Sequence, residues 1–184
     1  MPTPLHHHAA ALAAAGHDHW IETLDDGSHV LIRPLRAEDR ELERDFLERL
    51  SPMTRKLRFH GEVKISDALL DRLMDVDYQQ TMAFVALAHD SGELREVGIS
   101  RYAAAAENAQ CECALTTADD WKRRGLEKAL MRHLIEVAKR NGFAQMYSID
   151  QAIDREMRDL AVELGFQAQR DPDDATRVIR RLAL

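Results

Sequence analysis

No run of about 20 consecutive apolar residues, the length that a membrane-spanning helix needs, occurs in this chain. The longest candidate, residues 9–15, is mostly alanine, and no Lys or Arg precedes Arg33 to give it the basic start of a secretory signal. A cytoplasmic protein without a membrane partner is expected. Cysteine is equally scarce. Cys111 and Cys113 are the two thiols, two residues apart and on one face of any strand, so they form no disulfide framework. They read as small buried apolar residues rather than as nucleophiles. Positive charge is also in deficit, with 25 Lys+Arg against 32 Asp+Glu and a formal net charge of −7. That balance argues against nucleic acid as a partner, because polyanion binding needs a basic field. Neither a Walker-type GxxxxGK[ST] loop nor GxGxxG is found, and no internal repeat or interior linker interrupts the chain.

What is present fits one ordinary globular domain, at 45% hydrophobic and 31% charged residues over 184. Residues 1–20 stand apart. They hold His6, His7, His8, His17 and His19 without periodic large apolar side chains, so a flexible tail is expected, with 21–184 forming the domain. Histidine binds metals, but no rigid frame fixes these ligands, and no functional metal is expected. The patterning then predicts a strand over 29–33 and a helix over 38–50. Ser51 should cap a short helix beginning at Pro52, and Ser66 a further helix to about residue 75. Strands are predicted over 81–89, 94–104 and 111–117. The clearest helix begins at Gly125, with Leu126, Ala129, Leu130, His133, Leu134, Val137 and Ala138 on one face and Asn141-Gly142 closing it. A strand over 144–149, a helix over 154–164 and a hairpin formed by 166–169 and 177–182 complete a mixed sheet with helices on its faces.

Chemistry concentrates in the strand–loop–helix unit from Cys111 to Arg140. Lys122, Arg123 and Arg124 precede a helix start whose unpaired N–H groups and positive dipole end suit a phosphate or pyrophosphate, and Gly125 lets the backbone approach it. The bland alternative is a basic surface turn that happens to precede a helix. His133 on the apolar stripe reads as a satisfied core histidine. Tyr78 and Tyr102 read as semi-buried packing, with cleft lining as the lesser reading. Arg36, Arg40 and Arg44 form a solvated helix face, and His60 is a weak candidate for the acceptor region.

The stretch Lys122-Arg123-Arg124-Gly125-Leu126-Glu127 resembles motif A of the GNAT N-acetyltransferases, Q/R-x-x-G-x-G/A at a strand–loop–helix junction. Ile32-Arg33-Pro34 followed by Glu38-Asp39 resembles the family's usual opening strand and helix, and Leu50-Ser51-Pro52, Leu57-Arg58-Phe59, Val76-Asp77-Tyr78 and Val97-Gly98-Ile99-Ser100-Arg101-Tyr102 resemble the GNAT domain of bacterial Pat-type protein lysine acetyltransferases. The likeness runs from about residue 29 to 183. It implies an α+β, mixed α/β fold with a central twisted sheet and helices on both faces. It also implies acetyl transfer from acetyl-CoA to a primary amine, either a small molecule or a protein lysine, with no metal. Amides from Arg123 to Lys128, with Lys122, Arg124, Gly125, Leu126 and Glu127, would hold the pyrophosphate. The strands bearing Leu115 and Thr117 and residues 144–150 would splay for the pantetheine arm, and Asp154 would contribute near it. Glu112 falls where the family keeps a carboxylate general base. An ammonium of pKa about 10.4 is not nucleophilic until it loses a proton. Oligomeric state, a homodimer included, stays open.

Three departures from the family pattern matter. Glu127 replaces a Gly or Ala, Lys122 replaces Gln or Arg, and Asp154 replaces an Asn. In addition, Ala161 stands where many relatives place a general-acid Tyr, which the Pat-type group commonly lacks as well. Glu127 and Asp154 support the opposing reading, a catalytically weak or inactive GNAT-fold binding module.

Overall fold

The computed structural model of the chain describes residues 18–106 and 109–184. Residues 1–17, with most of the expected tail, lie outside it. Eight strands form one sheet: β1 (Trp20–Thr23), β2 (His29–Pro34), β3 (Thr81–Asp90), β4 (Glu93–Ala104), β5 (Gln110–Thr117), β6 (Gln145–Gln151), β7 (Gln167–Arg170) and β8 (Arg177–Ala183). Their spatial order is β1-β2-β3-β4-β5-β6-β8-β7. Every neighbouring pair is antiparallel except β5 and β6, which run parallel. A parallel pair needs a long crossover, and α4 (Leu126–Arg140) supplies it.

The apolar run of β3 explains its central place. Met82 through Ala88 are all buried, as expected of a strand covered on both faces. Alternate residues of β4 then show which helices cover which face. Ser100 donates to the Leu130 carbonyl of α4, whereas Arg101 reaches Glu43 of α1 (Arg40–Arg49) and the Leu73 carbonyl of α3 (Asp67–Met74). The α1–α3 layer therefore lies on one face, including α2 (Pro52–Phe59), and α4 with α5 (Arg155–Glu163) lies on the other. The mixed architecture with helices on both faces is as the sequence predicts.

Local chemistry sets the helix starts. Ser51 accepts from the Thr54 amide, Ser66 from Leu69 and Asp154 from Met157 at 3.0 Å, each a side-chain cap of the helix that follows. The domain boundary differs from expectation. Asp18 is buried and paired with Arg140 (3.0 Å from Nη1), and Trp20 opens β1, so residues 18–20 belong to the fold rather than to the tail. Trp20 stacks on His133, with centroids 3.8 Å apart, and meets the Phe84 ring edge-on. His133 lies 2.6 Å from Glu22 Oε1, which makes it the satisfied histidine its position predicts. Tyr78 and Tyr102 are buried and donate to the Leu35 and Gln79 carbonyls, so both serve packing. Among the described residues no helix is long and apolar enough to cross a membrane.

Candidate active site

The parallel pair β5–β6 is short. Gln110, Cys111 and Glu112 face Gln145, Met146 and Tyr147, and beyond Glu112 the two strands part. Alternation along β5 buries Cys111 and Cys113 on the α4 face and turns Glu112 to the α1–α3 face, as the sequence predicts. Burial pushes the Cys111 thiol up to about 12 and raises Cys113 well above its ordinary value, so neither is a ready thiolate. Glu112 itself is exposed, and its Oε2 accepts from the Tyr147 hydroxyl at 3.4 Å. Burial raises the Tyr147 phenol, and the neighbouring Glu112 charge adds to the shift.

Leu115 lines a narrow pocket in the fork, with Cys113 and Met131 on one side and Met157, Leu160 and Phe166 of the α5 region on the other. Thr117, at the end of β5, donates to Glu127 Oε1 at 2.8 Å. The structure thus brings two of the expected site residues together, and the Glu127 carboxylate is turned back onto β5.

The loop after β5 is where the sequence places an anion site. Gly125 precedes α4 with φ of 87°, and Arg123 adopts φ of 60°. Unlike α2, α3 and α5, α4 begins without a side-chain cap, which leaves its first N–H groups to another acceptor. The loop cations are paired within the protein. Lys122 Nζ donates to Thr54 Oγ1 at 2.9 Å and lies 3.5 Å from both Asp119 and Glu156. Arg123 meets Glu156 at 3.3 Å while staying 83% exposed. Arg124 covers the Trp121 ring, donates to the Asp120 carbonyl and pairs with Asp26 at 3.1 Å. Lys128 pairs with Glu163 of α5. Leu126 is fully buried, so only its backbone can serve a ligand. Asp154, read as a site residue, caps α5.

Several neighbours of the site are not legible in the motif. Asp119 accepts from the Ser51 amide (2.8 Å), the Ser51 hydroxyl (2.9 Å) and the Thr54 hydroxyl (2.6 Å), tying the start of α2 to the loop. Burial alone would raise its carboxyl, but these bonds, Thr54 first, hold it below its ordinary value. Glu156 and Tyr147 were likewise not singled out. His60 ends α2 in the left-handed region and is exposed.

Gly125 is sterically required. A Cβ there would lie 2.8 Å from Asp25 Oδ2, and the β1–β2 turn is already held by the Asp25 amide on the Arg124 carbonyl. Gly125→Ala is expected to cost about 1–3 kcal/mol, through left-handed strain and displacement of that turn. A melting temperature equal to wild type would show that the turn yields freely.

The chain matches no protein-family model. Its fold is that of the GNAT domain of S. lividans PAT, with a TM-score of 0.81 at 20% identity over 100% of both chains. The PaiA N-acetyltransferase of Thermoplasma acidophilum, solved in complex with coenzyme A, aligns at a TM-score of 0.62 and 13% identity, covering 84% of this chain and 99% of that one. These likenesses define the fold, that of GNAT domains. Over 177 residues the chain is 68% identical to "Acetyltransferase PA5475" of Pseudomonas aeruginosa, covering 96% of this chain and 95% of the relative. The chain belongs to that family of acetyltransferases, built on the fold of GNAT domains.

Proposed function

We propose that this acetyltransferase moves an acetyl group directly from acetyl-CoA to a primary amine, with Glu112 as general base. The observation that carries the reading is the parting of β5 and β6 one position beyond the Glu112–Tyr147 pair. The facing edges of the fork lead from Glu112 to the uncapped start of α4. Backbone N–H and C=O groups along such an edge suit the amides of a pantetheine arm, since neither strand pairs the other there. N–H groups at 123–128 suit the pyrophosphate. The Glu127 carboxylate, bonded to Thr117, is satisfied within the protein instead of standing free against an incoming anion.

In this mechanism the Glu112 carboxylate removes a proton from the acceptor ammonium. The freed nitrogen attacks the thioester carbonyl, and as the tetrahedral adduct collapses the C–S bond breaks, the nitrogen gives up its second proton to solvent and the departing thiolate takes one up from it. A thiol of pKa about 8.5 departs readily, so the absence of a tyrosine at Ala161 is tolerable.

Acetyl-CoA should bind the folded state alone, and at a hundredfold excess over Kd it should add about 2.7 kcal/mol of stability. A rise of several degrees in melting temperature is the expected result. No shift at millimolar acetyl-CoA would overturn the reading.

A further inference from the structure

The strand register lines up one row of side chains on the α1–α3 face. Glu112 is opposite Tyr147, Tyr147 is opposite Arg181, and Arg181 is opposite Gln167. Beside this row opens a cleft of about 360 Å³ lined by Ala105, Ala106, Gln110, Tyr147, Ile179 and Arg181. Its size is at the lower end of small-molecule sites. Among the described residues its lining holds one charge, and that charge is a guanidinium. Among the described residues Arg181 meets no carboxylate. Its recorded hydrogen bond runs to the neutral Gln169 Oε1 at 3.3 Å.

Other cations share this face. Arg101 projects from β4 toward α1 and α3. Burial, then the Arg101 charge, lowers the Arg58 guanidinium of α2 to about 10, and the charge of Glu112 is felt there too. Arg101 is already paired with Glu43 there, so the guanidinium of this row that meets no carboxylate among the described residues is Arg181. An anionic group would find a partner whose planar fork fits a carboxylate.

We propose that this cleft binds a small amine that also carries a carboxylate, the amine at Glu112 and the carboxylate on Arg181. This rests on the acetyl-transfer reading and narrows its acceptor. Adjacent strands lie about 4.8 Å apart, so the two Cα atoms are about 10 Å apart across Tyr147. Arg181 is bonded to Gln169 of β7, and swinging its guanidinium back over Tyr147 would shorten that span to the length of an ω-amino acid. Ala105 and Ala106 keep one wall low, Gln110 offers both a donor and an acceptor, and Ile179 gives the methylene chain an apolar floor.

The test compares acetylation of γ-aminobutyrate, δ-aminovalerate and ε-aminocaproate, each against its own carboxamide, with a lysine peptide and a polyamine in parallel. At least one acid should exceed its amide in kcat/KM by about 10- to 100-fold, the range of a charge-assisted hydrogen bond. Arg181→Gln should bring that ratio close to one, mainly through KM, and Arg181→Lys should restore part of it. The melting shift with acetyl-CoA should persist in both variants, which shows that they fold. Equal rates for acid and amide in the wild type would overturn the proposal, as would an unchanged ratio in Arg181→Gln. Binding of acetyl-CoA with acetylation confined to the lysine peptide or polyamine, or with no acceptor acetylated, would overturn it too. Failure of the wild type to bind acetyl-CoA would instead overturn the acetyl-transfer reading itself.

Discussion

Replacing Glu112 by glutamine is expected to lower kcat at neutral pH by about 100- to 10,000-fold, the usual worth of a positioned general base. The amide keeps the size of the side chain and a hydrogen-bond partner for Tyr147, so the row on the sheet surface should survive. Only the ability to take a proton is lost. The deficit should therefore shrink as pH rises toward the amine pKa of about 10.4, where free amine no longer needs a base. Acetyl-CoA affinity should be unchanged, because the proposed pyrophosphate site is at the other end of the fork. A pH–rate profile of kcat/KM decides the matter. Turnover equal to wild type at neutral pH would remove Glu112 from the mechanism.

Replacing Arg101 by alanine should cost about 3–5 kcal/mol, the penalty for leaving a buried acid without its counter-charge. Arg101 Nη2 lies 3.3 Å from Glu43, whose side chain is 1% exposed, and Glu96 is fully buried beside it. Burial, then the neighbouring Glu43, raises the Glu96 carboxyl well above its ordinary value, so the folded protein holds a proton there. The consequence for stability has a definite sign. From about pH 4.5 upward the unfolded chain releases this proton while the folded chain keeps it, so stability falls as pH rises through the folded pKa. The slope is at most about 1.4 kcal/mol per pH unit. The Asp77 and Asp119 carboxyls are held low, and their contribution is lost only on acidification below about pH 4. Glu96→Gln should abolish the falling slope and leave the acid limb intact. Chemical denaturation across pH would show it, and an unchanged slope would place the proton elsewhere.

The elements legible in the sequence are those whose signal is local. Ser51 and Ser66 cap helices that begin where their side chains predict, whereas the capping role of Asp154 emerges only in the structure. The apolar stripe of α4 and the alternation of β5 likewise belong to single elements. Strand β1 was not legible, because four residues with alternating exposure carry little signal. Its place is fixed by Trp20 on His133 and Phe84, more than 60 residues away in sequence. The site divides in the same way. Glu112, Thr117 and the loop were read from one contiguous motif. Tyr147 comes opposite Glu112, and Arg181 opposite Tyr147, only through strand register, and Thr54 meets Asp119 across a separation of 65 residues. The pairing of Lys122 and Arg123 with Glu156 was hidden for the same reason. Three adjacent cations read as free charge until α5 docks beside Lys122 and Arg123 and the β1–β2 turn beside Arg124.

The short β5–β6 pairing gives the sheet an internal seam. Strands β1 to β5 form one antiparallel ribbon and β6, β8 and β7 another, and three residue pairs join them. A molecule lying in the fork therefore acts as a stretch of missing strand, continuing across the seam the hydrogen bonding that the chain leaves open. Amide protection along residues 113–117 of β5 and 148–151 of β6 then reports on the substrate as much as on the fold. Filling the fork turns two ribbons into one continuous sheet.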